Sequence, residues 1–131
     1  MKICVPSTGQ GLTAKVDRSF GRAAFFAVVD VGTMRFHCLR NLPLLPGERG
    51  EQLVAEMVSL LGVDGVLAEC IDAKACHILQ RSGVKVFEGV LANDSVQEVV
   101  CKLRHGQYQE AALLPEGSRS PFGCASSAEW P

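Results

Sequence analysis

The chain has 131 residues, 47% of them hydrophobic and 21% charged, with a formal net charge of -1. A chain of this length typically buries about 68% of its unfolded surface, enough for one core that needs no disulfide or metal staple. Without an excess of positive charge or a basic run, neither nucleic acid nor a membrane surface is expected as a partner.

The opening "MKICVPSTGQ" turns polar after Val5, far short of the apolar stretch of a secretory signal, so the expected compartment is the cytoplasm. Six cysteines there are expected as reduced thiols, each to be judged as core filler, metal ligand or nucleophile. No Cys-x-x-Cys pair is present, which removes a zinc ribbon and a thioredoxin-like motif.

Residues 3–5 form a short apolar run closed by Pro6, the pattern of a strand buried on both faces in the middle of a sheet. Residues 24–31 and 34–41, parted by Gly32 and Thr33, read as an antiparallel hairpin. In the second arm Met34, Phe36 and Cys38 alternate with Arg35 and His37, as at a wet sheet edge. A helix over 51–61 follows, with Leu53, Met57, Leu60 and Leu61 inward and Gly62 as its stop.

Residues 63–68 predict a short buried strand, and Asp72 caps a second helix that ends at Gly83 with Ala75, Ile78 and Leu79 inward. Residues 84–87 make the last strand. Asn93 or Asp94 then caps a third helix carrying Val96, Val99, Val100 and Leu103 inward and ending at Gly106. This order implies one α/β domain over 1–106, with parallel strands joined by helical crossovers, helices on both faces and the hairpin extending one side. From 107 the helical period fades, and 107–131, rich in Pro, Gly and Ser, reads as a flexible tail whose Cys124 has no assigned role.

Ligands of such sheets bind beyond the carboxyl ends of the parallel strands. Three segments converge there: a connection of about 17 residues after the first strand, longer than usual; Glu69 to Asp72; and Glu88 with Gly89. The stretch 42–50 is expected near the same rim. The first connection combines Gly9, Gly11 and Gly21 with Lys15, Arg18 and Arg22, a composition suited to closing on an anion with help from backbone N–H groups and a helix N-terminus. Arginines paired with nearby carboxylates on the surface are the competing account.

Cys70 is expected to be accessible at the rim and Cys76 to lie in the first turns of the helix, a pair with potential for metal or sulfide chemistry, although Cys76 equally suits helix packing. His77, His37 and His105 all fit solvated or helix-end positions. Catalysis finds little support: the first strand has no carboxylates for magnesium, no phosphate-binding or nucleophile-elbow glycine motif is present, and Cys70 has no well-placed histidine base.

The segments "MKICVPS", "VDRSFGRAAFFAVVDV", "GVDGVLAECID" and "RSGVKVFEG" resemble, in order, the nitrogenase accessory factor or dinitrogenase iron-molybdenum cofactor biosynthesis family over residues 1–106, with Phe20 to Ala23 the most specific piece. The resemblance implies a ribonuclease H-like α/β fold with a five-stranded mixed sheet in the order 3-2-1-4-5, strand 2 antiparallel. It implies a carrier rather than an enzyme. The cargo would be an anionic metal-sulfur cluster holding molybdenum, iron or copper with sulfide, bound noncovalently and passed between metallocofactor donor and acceptor proteins.

Residues expected around such a cargo are Gly9, Gly11, Arg18, Ser19, Phe20, Gly21 and Arg22, with Cys70 and Cys76 as candidate metal ligands. This chain has Ser19 where many members have histidine, and Arg49-Gly50 where a His-Gly is frequent, so histidine ligation does not carry over. The chain is expected to be a monomer or weak homodimer. The alternatives are an interaction module of the same fold without cluster binding, and a thiol enzyme centred on Cys70.

Overall fold

The computed structural model describes residues 1–41, 48–90 and 93–111. A six-stranded mixed sheet is built from β1 (Lys2–Ser7), β2 (Phe25–Asp30), β3 (Phe36–Arg40), β4 (Gly65–Leu67), β5 (Lys85–Glu88) and β6 (Gln109–Glu110), in the order β3-β2-β1-β4-β5-β6. Strands β1, β4 and β5 are parallel, whereas β2 runs antiparallel to β1, β3 to β2 and β6 to β5. The first five strands follow the expected order. The sixth corrects the expected count, because β6 holds only Gln109 and Glu110, too short and too polar to carry a period, and is completed by the Ala111 N–H donating to the Val86 carbonyl at 2.7 Å.

Helices cover both faces. On one, Val54, Ala55 and Val58 of α1 (Glu48–Ser59) and Ala75, Cys76 and Leu79 of α2 (Ala73–Arg81) pack on Cys4, Phe26, Val28, Val66 and Val86. On the other, Val96, Val99 and Val100 of α3 (Val96–Arg104) pack on Ile3, Val5, Ala27, Val29, Leu67 and Phe87. Successive strand residues alternate between the two clusters, the two-residue period of a sheet buried on both sides. Among the described residues, no helix is long and apolar enough to cross a membrane.

Pro6 does not close the first strand, which continues to Ser7. Met1 accepts from the Val31 N–H and lies in register with it, so Ile3, Val5 and Ser7 turn their polar groups to β2 and Pro6 turns away. Strand β4 pairs only with Ile3 and Cys4, and the Pro6 carbonyl takes the Asp17 N–H at 2.9 Å, so the missing proline N–H interrupts no ladder.

The inward face of α1 is also rotated from the expected stripe. Of the expected residues Met57 and Leu61 pack against the core, whereas Leu53 is 45% exposed and Leu60, beyond the helix end, 86%; Val54, Ala55 and Val58 supply the buried face. Gly65 meets a constraint that the sequence pattern does not announce: a Cβ there would lie 2.7 Å from the Phe87 ring and 3.0 Å from Ile3 Cδ1. In the β2–β3 turn the Asp30 carboxylate accepts from the Gly32 and Thr33 N–H groups at 2.9 and 3.3 Å, which holds its carboxyl below the usual carboxylate range. Met34, expected in the strand, occupies the turn in a left-handed conformation with φ 61°.

Candidate functional site

The connection after β1 is sewn across the carboxyl end of the sheet by its own backbone. Thr8 N–H donates to the Lys15 carbonyl and Val16 N–H to the Asp94 carbonyl, both at 2.9 Å. The carbonyls of Leu12 and Ala14 accept from Gln97 and Val96, the first amides of α3, also at 2.9 Å. Further along, Ser19 lies beside Cys70 in a parallel bridge, with the Phe20 N–H donating to the Cys70 carbonyl at 3.2 Å.

The turn at 17–22 is held by side chains. Asp17 Oδ1 accepts from the Ser19 N–H at 3.0 Å, and Ser19 Oγ accepts from the Arg22 N–H at 3.3 Å. Phe20 is fully buried and packs on Phe26 with ring centroids 5.6 Å apart. Its side chain therefore anchors the turn in the core and offers nothing to a ligand. Anchoring leaves Arg18 and Arg22 exposed on either side, beside Cys70.

Sequence reading missed Asn41. Only 2% exposed, it donates its side-chain amide to the carbonyls of Gly21 at 3.2 Å and Ala23 at 2.8 Å, and its N–H to Ala24 at 3.0 Å. It ties the end of the hairpin to the arginine turn, a contact across some 20 positions that no local motif marks. The cap of α3 is Ser95, not Asn93 or Asp94: Ser95 Oγ accepts from Glu98 N–H and Glu98 Oε1 accepts from Ser95 N–H. The Ser-x-x-Glu spacing is the signal that would have found it.

The N-termini of α2 and α3 carry partners from the chain itself. Loop carbonyls and the capping box take the first amides of α3, and the Asp72 carboxylate sits on α2, accepting from Lys74 N–H at 3.1 Å. Several loop amides are engaged too, that of Gly11 with Cys38 Sγ at 3.4 Å. Gly11 needs its glycine, at φ 99°, whereas a Cβ at Gly9 would make an ordinary contact with Ala14 at 3.7 Å. Lys102 is engaged by Asp94 at 2.6 Å, which holds its ammonium pKa above the usual value. Arg18 and Arg22 are the exposed cationic side chains of this turn.

The cysteines divide. Cys4, Cys38, Cys76 and Cys101 form no disulfide, and Cys70 is only 8% exposed, against the expectation of an accessible thiol at the rim. Cys76 is fully buried among the residues that α2 packs on the sheet. Among the described residues no group of three or more His, Cys, Asp or Glu is arranged to hold a metal ion. The stretch 42–47 and Cys124, with the rest of 112–131, lie outside the described residues.

Comparison with known proteins adds the family. The model of the family described as dinitrogenase iron-molybdenum cofactor matches residues 1–106. The chain belongs to this family. Its structure is similar to the apo form of the orange protein of Desulfovibrio gigas, with 32% identity and a TM-score of 0.79, covering 85% of this chain and 92% of that one. It is also similar to a putative NifB protein of Thermotoga, with 25% identity and a TM-score of 0.71, covering 88% and 98%. A comparison with curated protein sequences gave no match. Family membership associates the chain with iron-molybdenum cofactor biosynthesis or cluster binding.

Proposed function

We propose that this protein binds an anionic metal-sulfur cluster noncovalently at the turn of Arg18, Ser19, Gly21 and Arg22, and carries it between cytoplasmic donor and acceptor proteins without transforming it. The observation that supports this is the bond from Phe20 N–H to the Cys70 carbonyl, which aligns the arginine turn with the cysteine at the strand end. The family name supplies the cargo class, iron and molybdenum, and the similarity to the orange protein supports a small carrier. Guanidinium groups recognise sulfide- and oxide-bearing anions through directed N–H donors, and Arg18 and Arg22 are both exposed at this turn.

Cys70 is the candidate thiolate; Cys76, fully buried, is not part of the proposed site. Anaerobic reconstitution with tetrathiomolybdate and iron, read by metal analysis and visible absorption, tests the reading. The Arg18→Ala/Arg22→Ala double variant should lose about tenfold in retention, the equivalent of about 1.4 kcal/mol, while remaining folded by circular dichroism. Cys70→Ser, under reductant, should lose more than Cys101→Ser. Equal metal content in wild type and double variant would sink the electrostatic account.

A second reading, an interaction module of the same fold, draws on the lack of a three-ligand group among the described residues. Protein that stays metal-free in reconstitution yet is isolated in a stable complex with a partner would favour it.

A further inference from the structure

We propose that the free edge of β3 is a docking site for an extended, acidic segment of a partner protein, which adds to the sheet as a further strand. Among the described residues the sheet ends at β3. Which of its backbone groups are free follows from register. Asp30 N–H donates to the Arg35 carbonyl and Asn41 N–H to the Ala24 carbonyl, and Phe25 stands opposite Arg40. In an antiparallel pair the hydrogen-bonded positions recur every second residue, so Arg35, His37, Leu39 and Asn41 face β2. Phe36, Cys38 and Arg40 therefore turn their N–H and C=O groups outward, along the open side.

Natural edges are blunted by proline, bulges or charge, and β3 has only charge. That charge has one sign. Arg40 is exposed at the end of β3 and Arg35 just before its start, while the strand contains no acidic residue. Carboxylates on an incoming strand can meet Arg40 on one face of the sheet and Arg35 on the other. Phe36, 43% exposed, gives the same strand an apolar contact. The edge also adjoins the arginine turn: Arg40 precedes Asn41, which holds Gly21 and Ala23, and Cys38 Sγ accepts from Gly11 N–H. A strand docked there lies next to the candidate site, but the docking itself does not depend on any cargo.

The test uses the full chain and a short synthetic peptide of glutamate and valine with glutamates on both faces of the extended chain, and a lysine–valine peptide of the same pattern as control. Binding is followed by fluorescence anisotropy and by amide hydrogen exchange. The acidic peptide should bind, more weakly as salt rises, and should slow exchange at Phe36, Cys38 and Arg40 while leaving His37 and Leu39, already bonded to β2, unchanged. Phe36→Pro, which removes an outward N–H at the first residue of an edge strand, should weaken binding about tenfold. Arg35→Glu/Arg40→Glu should do the same and reverse the preference between the peptides. Binding without the alternating protection would mean mere charge adhesion and overturn the proposal, as would no binding. A homodimer abolished by Phe36→Pro would assign the edge to a second copy and overturn it too.

Discussion

Asn41 carries more of the site than any charged residue near it. Its amide fills two carbonyls of the turn that bears Arg22, and its own N–H closes the hairpin. Removing the amide strands acceptors in a place almost closed to water, and a buried acceptor left unmade costs about 1–3 kcal/mol. Asn41→Ala should therefore lower unfolding free energy in urea by about 2 kcal/mol. Asn41→Asp should be worse at neutral pH, since a carboxylate would face two carbonyl oxygens and can donate to neither. Equal stabilities for the two variants, or a loss under half a kcal/mol, would show that the amide is not holding the turn. The sequence gives little hint of this role, because an asparagine after a strand reads as an ordinary turn residue and its partners lie 18 and 20 positions away.

Among the elements, α3 shows which features a sequence exposes and which it hides. Its inward valines recur at helical spacing and its Ser-x-x-Glu cap is local, so both are legible. The carbonyls of Leu12 and Ala14 that fill its first two amides come from the connection after β1, and no local rule places them. The same distinction explains α1, where two candidate apolar stripes exist and only packing against α2 and the sheet selects Val54, Ala55 and Val58 over Leu53 and Leu60. Ser95→Ala should cost about 1 kcal/mol, the usual worth of an N-cap hydroxyl. Because Ser95 and Glu98 serve each other, Ser95→Ala/Glu98→Ala should lose less than the two single variants added together. Strict additivity in a double-mutant cycle would deny the reciprocal box.

At the scale of the whole molecule, the sheet with helices on both faces leaves its central strand sealed. Cys4 of β1 is fully buried, and burial pushes its thiol up to about 12, because a thiolate has no solvation there. A thiol reagent needs the thiolate, so labelling of Cys4 requires the chain to open first. Opening that exposes the centre of a sheet covered on both sides is global, whereas Cys38 at the edge strand needs only a local fluctuation. That central position was legible from the run Ile3-Cys4-Val5, since a strand without a polar face has no wet side, while β6, two polar residues at the far edge, carried no such mark. In a variant whose other cysteines are replaced by serine or alanine, labelling of Cys4 under fast reclosing should report the same free energy as urea unfolding, with the same dependence on denaturant. Labelling of Cys38 in the matching variant should be faster and nearly independent of low denaturant. If Cys4 were labelled as readily as Cys38, the two halves of the sheet would be separating below the global unfolding free energy, and the pairing of β1 with β4 would be the weak seam.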